Sequence, residues 1–125
     1  MRLVLDAGAL IGLDRNDRHV VGLIALARRG EAELVTVAPI VAQVWRDGAR
    51  QAHLARALPM INVFDVDLEM ARWAGELLRG TGGADVVDAL VTLLVRPGDQ
   101  ILTSDPGDIG KLLVTRAVRA TVVAV

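Results

Sequence analysis

Apolar and polar positions fall in blocks that predict strands alternating with helices. The run Leu3-Val4-Leu5 has the uninterrupted apolar character of a strand buried on both faces, and it stops at Asp6. We place a strand at about 2–5, with helical stretches near 7–14 and 17–29 broken around Asp14-Arg15-Asn16-Asp17. A strand near 33–37 leads through Pro39, a residue suited to a first helical turn, into a helix near 39–46. Gly48 ends that helix, and another follows over about 50–57. Pro59 precedes a strand at 61–65, and the spacing of Leu68, Ala71, Ala74, Gly75 and Leu78 predicts a helix over about 67–79. Beyond the loop Gly80-Thr81-Gly82-Gly83 a helix is expected over 85–95. Pro97-Gly98-Asp99 then turns the chain into a strand at 100–103, a helix near 106–114 and a closing strand at 120–125. Strands joined through helices imply an α/β fold with a parallel central sheet. With no internal repeat and no linker, residues 1–125 read as a single domain.

Composition narrows the function classes. A hydrophobic fraction of 53% over 125 residues supports a core without staples and excludes a disordered chain. The absence of cysteine removes disulfides, thiolate catalysis and Cys-ligated zinc. The start lacks the pattern of a signal peptide, and no apolar run approaches the ~18 residues of a membrane span. The expectation is therefore a cytoplasmic protein with no membrane partner. Net charge is −1, so no global basic field announces nucleic acid. All the positive side chains but Lys111 are arginine, which suits phosphate oxygens. The abundance of Ala, Gly and Val makes GC-rich coding the better explanation of that bias. One Phe, two Trp and no Tyr argue against a single-strand binder built on aromatic platforms. Trp45 and Trp73, at helical spacing among apolar residues, are expected to pack in the core or an interface. His19 and His53 have no partner motif and are expected at the surface. Arg46, Arg50 and Arg56 along the two middle helices fit an RNA backbone and a solvated face equally well.

The chemistry lies in the acids. Asp6 ends the first strand, and Ile101-Leu102-Thr103-Ser104-Asp105-Pro106-Gly107-Asp108 repeats the pattern near the other end of the chain. In open α/β sheets ligands bind just beyond the carboxyl ends of strands. Asp85-Val86-Val87-Asp88 opens a helix, with Asp85 read as its cap. Asp88 is followed by Ala89, Leu90 and Val91, and a carboxylate beside such apolar surface needs a partner. Each acid taken alone is also explained as an N-cap, a first-turn helix charge or an Asp-Pro turn. Asp108 in particular reads as helix charge. Together, Asp6, Asp88 and Asp105 predict an oxygen cage for a hard divalent cation, with Asp85, Thr103 and Asp108 as secondary candidates.

Leu3-Val4-Leu5-Asp6-Ala7-Gly8-Ala9-Leu10, Val41-Ala42-Gln43-Val44-Trp45-Arg46, Asp85-Val86-Val87-Asp88-Ala89 and Thr103-Ser104-Asp105-Pro106 stand in the order and approximate spacing of PIN-domain motifs. Over essentially its whole length the chain resembles that superfamily, and within it the VapC-type toxins of bacterial toxin–antitoxin pairs. The resemblance implies a three-layer α/β/α sandwich, acids gathered around Mg²⁺ or Mn²⁺, and endonucleolytic cleavage of RNA by a metal-activated water. It also implies a cognate antitoxin and a homodimer. By position Asp6 matches the first family acid, Asp88 the third and Asp105 the fourth. Gln43 stands where the family usually has a glutamate, and we read it as a subgroup variant that supports catalysis through its amide. Gly8 stands where the family often has Ser or Thr. With only three matching acids, one resident ion is expected. The competing expectation is a non-catalytic PIN-fold module that binds RNA or protein, because Gln43 brings no charge. A haloacid-dehalogenase-like phosphatase would need Asp-x-Asp where the chain has Asp6-Ala7-Gly8, and a receiver domain would need an acidic pair and a lysine that are absent.

Overall fold

The computed structural model describes residues 1–125. The apolar run at the start forms β1 (Arg2–Leu5), all of it buried, and β1 occupies the middle of the sheet. The chain continues through α1 (Ala7–Asp14), α2 (Arg18–Arg29), β2 (Glu33–Val37), α3 (Ala38–Val44) and α4 (Ala52–Ala57). A 3₁₀ turn over Leu58–Met60 leads into β3 (Asn62–Phe64), α5 (Leu68–Thr81) and α6 (Val86–Leu94). The fold closes with β4 (Gln100–Thr103), α7 (Pro106–Arg116) and β5 (Thr121–Ala124). The five strands lie in the order β3-β2-β1-β4-β5 and every neighbouring pair is parallel. Val4 sits opposite Val35 on one side and Ile101 on the other.

Right-handed crossovers sort the helices by direction of travel along the sheet. Going from β1 out to β3 places α1 to α4 on one face, where α1 packs against α2, α3 and α4. The return past β1 to β4 and β5 places α5, α6 and α7 together on the other face. The result is the three-layer α/β/α sandwich expected from the sequence. Leu3, Leu5, Leu10, Ile40, Leu54, Ile101, Leu102, Ile109 and Leu112 are the largest fully buried side chains of its core. No helix is long and apolar enough to cross a membrane.

Several boundaries differ from the predicted ones for identifiable reasons. α3 stops at Val44, before Gly48, because the buried Gln51 side chain takes over its end. Gln51 Oε1 accepts from the N–H groups of Arg46 at 2.7 Å and Asp47 at 3.0 Å, and Nε2 donates to the Val44 carbonyl at 2.9 Å. Gly48 serves the Trp45 ring instead, since a Cβ there would lie 2.9 Å from the indole. α5 runs on through Gly80 and Thr81 and ends at Gly82, whose φ of 67° is open to glycine. α7 extends to Arg116 before Ala117 enters the left-handed region. Trp45 packs partly buried against the core, whereas Trp73 is 53% exposed, which rules out the core, though not an interface, as its place. The buried stripe of α5 is carried by Ala74 and Leu77 instead. His19 and His53 are exposed.

Candidate metal centre

The strand order reverses between β1 and β4, since α1 leaves β1 toward one face and α7 leaves β4 on the other. Such a reversal opens a crevice at the carboxyl ends of the two strands. Asp6 and Asp105 are the residues immediately before α1 and α7, at the ends of those two strands. The Asp6 backbone N–H still belongs to the sheet, donating to the Leu102 carbonyl at 3.0 Å. Its Oδ1 accepts from the Ala7 N–H at 2.8 Å and its Oδ2 from the Thr103 hydroxyl at 2.6 Å. Thr103 is fully buried, and its oxygen also accepts from the Asp105 N–H at 2.9 Å. One hydroxyl thus fixes the orientation of Asp6 and the turn that presents Asp105.

α6 runs back against the strands, so its N-terminus reaches the same edge. The exposed Asp85 caps it, Oδ1 accepting from the Asp88 N–H at 2.7 Å, and Asp88 lies one turn in, only 9% exposed. Carboxylate oxygens of Asp88, Asp105 and Asp108 lie within 4.8 Å of one another. Asp105 makes no capping hydrogen bond to α7 with its side chain, which leaves its carboxylate free for this group. The tightest cluster therefore contains Asp108, which from sequence alone reads as helix charge. Its signal is present in the sequence: Asp105 and Asp108 are spaced by three on one helical turn, as Asp85 and Asp88 are. Asp6 adjoins the cluster through Thr103. Gln43 is exposed on α3 and shares no hydrogen bond with any of the acids.

Burial and mutual repulsion show in the proton affinities. Asp88 is pushed up to about 7, first by burial and then by the charges of Asp85, Asp6, Asp105 and Asp108. Asp6 is raised chiefly by burial, which outweighs the hydrogen bonds from Thr103 and Ala7. The ion pairs of the molecule are Arg2–Asp99 and Arg50–Asp47, and neither touches these acids. A group of buried and half-buried carboxylates paired with no cationic side chain, all offering hard oxygen donors, fits a Mg²⁺- or Mn²⁺-type ion. The positive ends of α1, α6 and α7 point toward the same edge and favour negative charge there. Gly8 has a steric role: a Cβ would lie 2.7 Å from Ser104 Oγ and 2.9 Å from its backbone nitrogen. A Ser or Thr at that position would force α1 away from the β4 turn.

Thr103→Val is expected to destabilise the protein by about 2–4 kcal/mol, because a buried carboxylate oxygen and a backbone N–H both lose their partner. Thr103→Ser should recover most of that loss. Urea denaturation measures both, and a valine variant within about 0.5 kcal/mol of the parent, the scatter of surface substitutions, would show that the hydroxyl does not organise this edge.

No family model matches this chain, and no curated protein matches it.

Proposed function

We propose that the chain is a Mg²⁺- or Mn²⁺-dependent endoribonuclease, the cytoplasmic toxin of a toxin–antitoxin pair, of the PIN-domain kind its motifs resemble. The observation that carries the reading is the convergence of Asp88, Asp105 and Asp108, with Asp6 beside them, at the reversal point of a parallel sheet. Asp88, Asp105 and Asp108 would hold the ion, with Asp6 as the neighbouring ligand that the motif match assigns. When bound, the ion supplies a lowered water pKa and offsets charge on the scissile phosphate. The remaining work belongs to the chain. Thr103 and the Ala7 N–H hold the Asp6 carboxylate in one orientation. Asp85 fixes the start of α6 and so the place of Asp88. The N-termini of α1, α6 and α7 favour a phosphate anion at the mouth of the crevice.

An antitoxin and a second copy of the chain are part of the same proposal. Leu26, Leu68, Trp73 and Val114 are more than half exposed, and large apolar side chains at a surface suit protein contacts. Purified protein incubated with total RNA should release new ends with Mg²⁺ and none with EDTA. Gln43→Ala should retain most of the rate, since Gln43 is exposed and brings no charge, whereas Asp105→Ala should lose it. Mg²⁺ binding without any RNA cleavage would favour the competing reading, a non-catalytic RNA- or protein-binding module.

A further inference from the structure

A pocket of about 320 Å³ opens beside the acid cluster, between α1, the start of α2 and the turn after β4. It shares backbone with the metal centre, because Gly8 follows Asp6 by two residues and Ser104 precedes Asp105. The volume sits at the lower end of the roughly 300–1,000 Å³ typical of small-molecule sites, room for one compact group. Its shape comes from α1. Gly8 and Gly12 are one turn apart, and a Cβ at Gly12 would come within 2.4 Å of Val20. Bare backbone on this side of α1 lets Val20 and Ser104 close in as walls.

The lining is chemically divided. Ile11, Val20 and Val125 give an aliphatic surface, while Arg15, His19 and Ser104 put donors at the rim. Neither Arg15 nor His19 forms an ion pair within the protein. Asp17 turns one oxygen inward to cap α2, accepting from the Val20 N–H at 3.0 Å. An aliphatic lining beside an arginine that forms no ion pair matches what an unstacked nucleobase requires: contact for its faces, a planar cation to stack on, and donors for its edge.

We propose that this pocket seats one unpaired nucleoside of an RNA strand, next to the acid edge where a bound ion would meet the scissile phosphate. The proposal rests on the ribonuclease reading and names how that site would choose its cleavage position. Arg15 and His19 are then specificity-determining residues.

The test is a ¹H–¹⁵N NMR titration of the full chain in EDTA with a five-nucleotide single-stranded RNA, and separately with each of the four nucleoside 5′-monophosphates. Shifts at the amides of Gly8, Gly12 and Ser104 are expected, with the RNA at least about tenfold tighter than any mononucleotide. Ile11→Trp, at a partly exposed position on the pocket wall, should abolish those shifts, and Arg15→Ala should weaken binding about tenfold. Shifts that persist in Ile11→Trp, or RNA binding that leaves these amides unmoved, would overturn the pocket. A mononucleotide as tight as the RNA would overturn the strand assignment and make this a free-nucleotide site. The readout needs no ion and no turnover. Failure of Mg²⁺-dependent cleavage with intact pocket shifts would therefore count against the nuclease and not against the pocket.

Discussion

Asp88→Asn is expected to abolish the Mg²⁺-dependent RNA cleavage proposed for this chain and at the same time to make the cation-free protein more stable above neutral pH. Asp88 is buried among like charges, and its carboxyl is pushed from 3.8 up to about 7 in the folded chain. Between roughly pH 4 and pH 7 the unfolded chain releases this proton while the folded chain keeps it, so stability falls as pH rises through that window. Above about pH 7 the folded carboxylate ionises too and the loss is complete. Below about pH 4 both states are protonated and the loss is absent. Asp6, also raised, contributes in the same direction. Asparagine carries no charge to bury, so at about pH 8 the variant should exceed the parent by about 2–4 kcal/mol, discounting for partial solvent access. Thermal melts in EDTA from about pH 4 to pH 8.5 would show the two proteins converging at the acid end. Adding Mg²⁺ at the alkaline end should raise the melting temperature of the parent and leave that of the variant unmoved. A parent whose stability is flat or rising between about pH 4 and pH 7 would show that the cluster is not strained by its own charge.

That trade of stability for a charged pocket is the physical content of the site, and part of it is legible in the residues alone. Leu3-Val4-Leu5 and Ile101-Leu102 are buried on both faces, so they read as unbroken apolar runs and their ends mark the sheet edge. The acids at those ends, and Asp88 one turn into an apolar helix, follow from local sequence. Strand order does not. The reversal between β1 and β4, which makes that edge a crevice, depends on pairing between segments nearly a hundred residues apart. Asp108 shows a subtler limit. Its spacing from Asp105 is visible, yet a first-turn acid on a helix has a sufficient explanation in the dipole. Only the approach of α6 places Asp88 against both. Gln51 escapes a reading by pattern because its role is to satisfy the end of a helix seven residues earlier, a task that leaves no periodic mark. Trp73 is open to core or interface in the sequence because helical spacing among apolar residues does not say which side of α5 faces the sheet.

The least legible feature carries the largest expected effect on stability. Arg2→Ala should cost about 3–5 kcal/mol, the loss that follows when one partner of a buried ion pair is removed. Arg2 Nη2 lies 3.2 Å from Asp99 Oδ2, and both side chains are less than a tenth exposed. Arg2 also donates to the carbonyl of Leu94, the last residue of α6. Asp99 in turn accepts from the Arg96 N–H at 2.8 Å, closing the turn that leads into β4. A single guanidinium therefore fastens the start of β1, the end of α6 and the entrance to β4. These are the elements that present Asp6, Asp88 and Asp105 at their opposite ends. In Arg2→Ala the Asp99 carboxylate keeps only a backbone donor, and the three elements lose their common anchor. Pairing Arg2→Met with Asp99→Asn removes the buried charge and leaves an amide oxygen to accept from the Arg96 N–H. The double variant should therefore regain more than half of the loss. Urea denaturation of the parent, both single variants and the double variant completes the cycle. A loss below about 1 kcal/mol for Arg2→Ala would assign the pair the weight of a surface salt bridge and free the acid edge from any dependence on it.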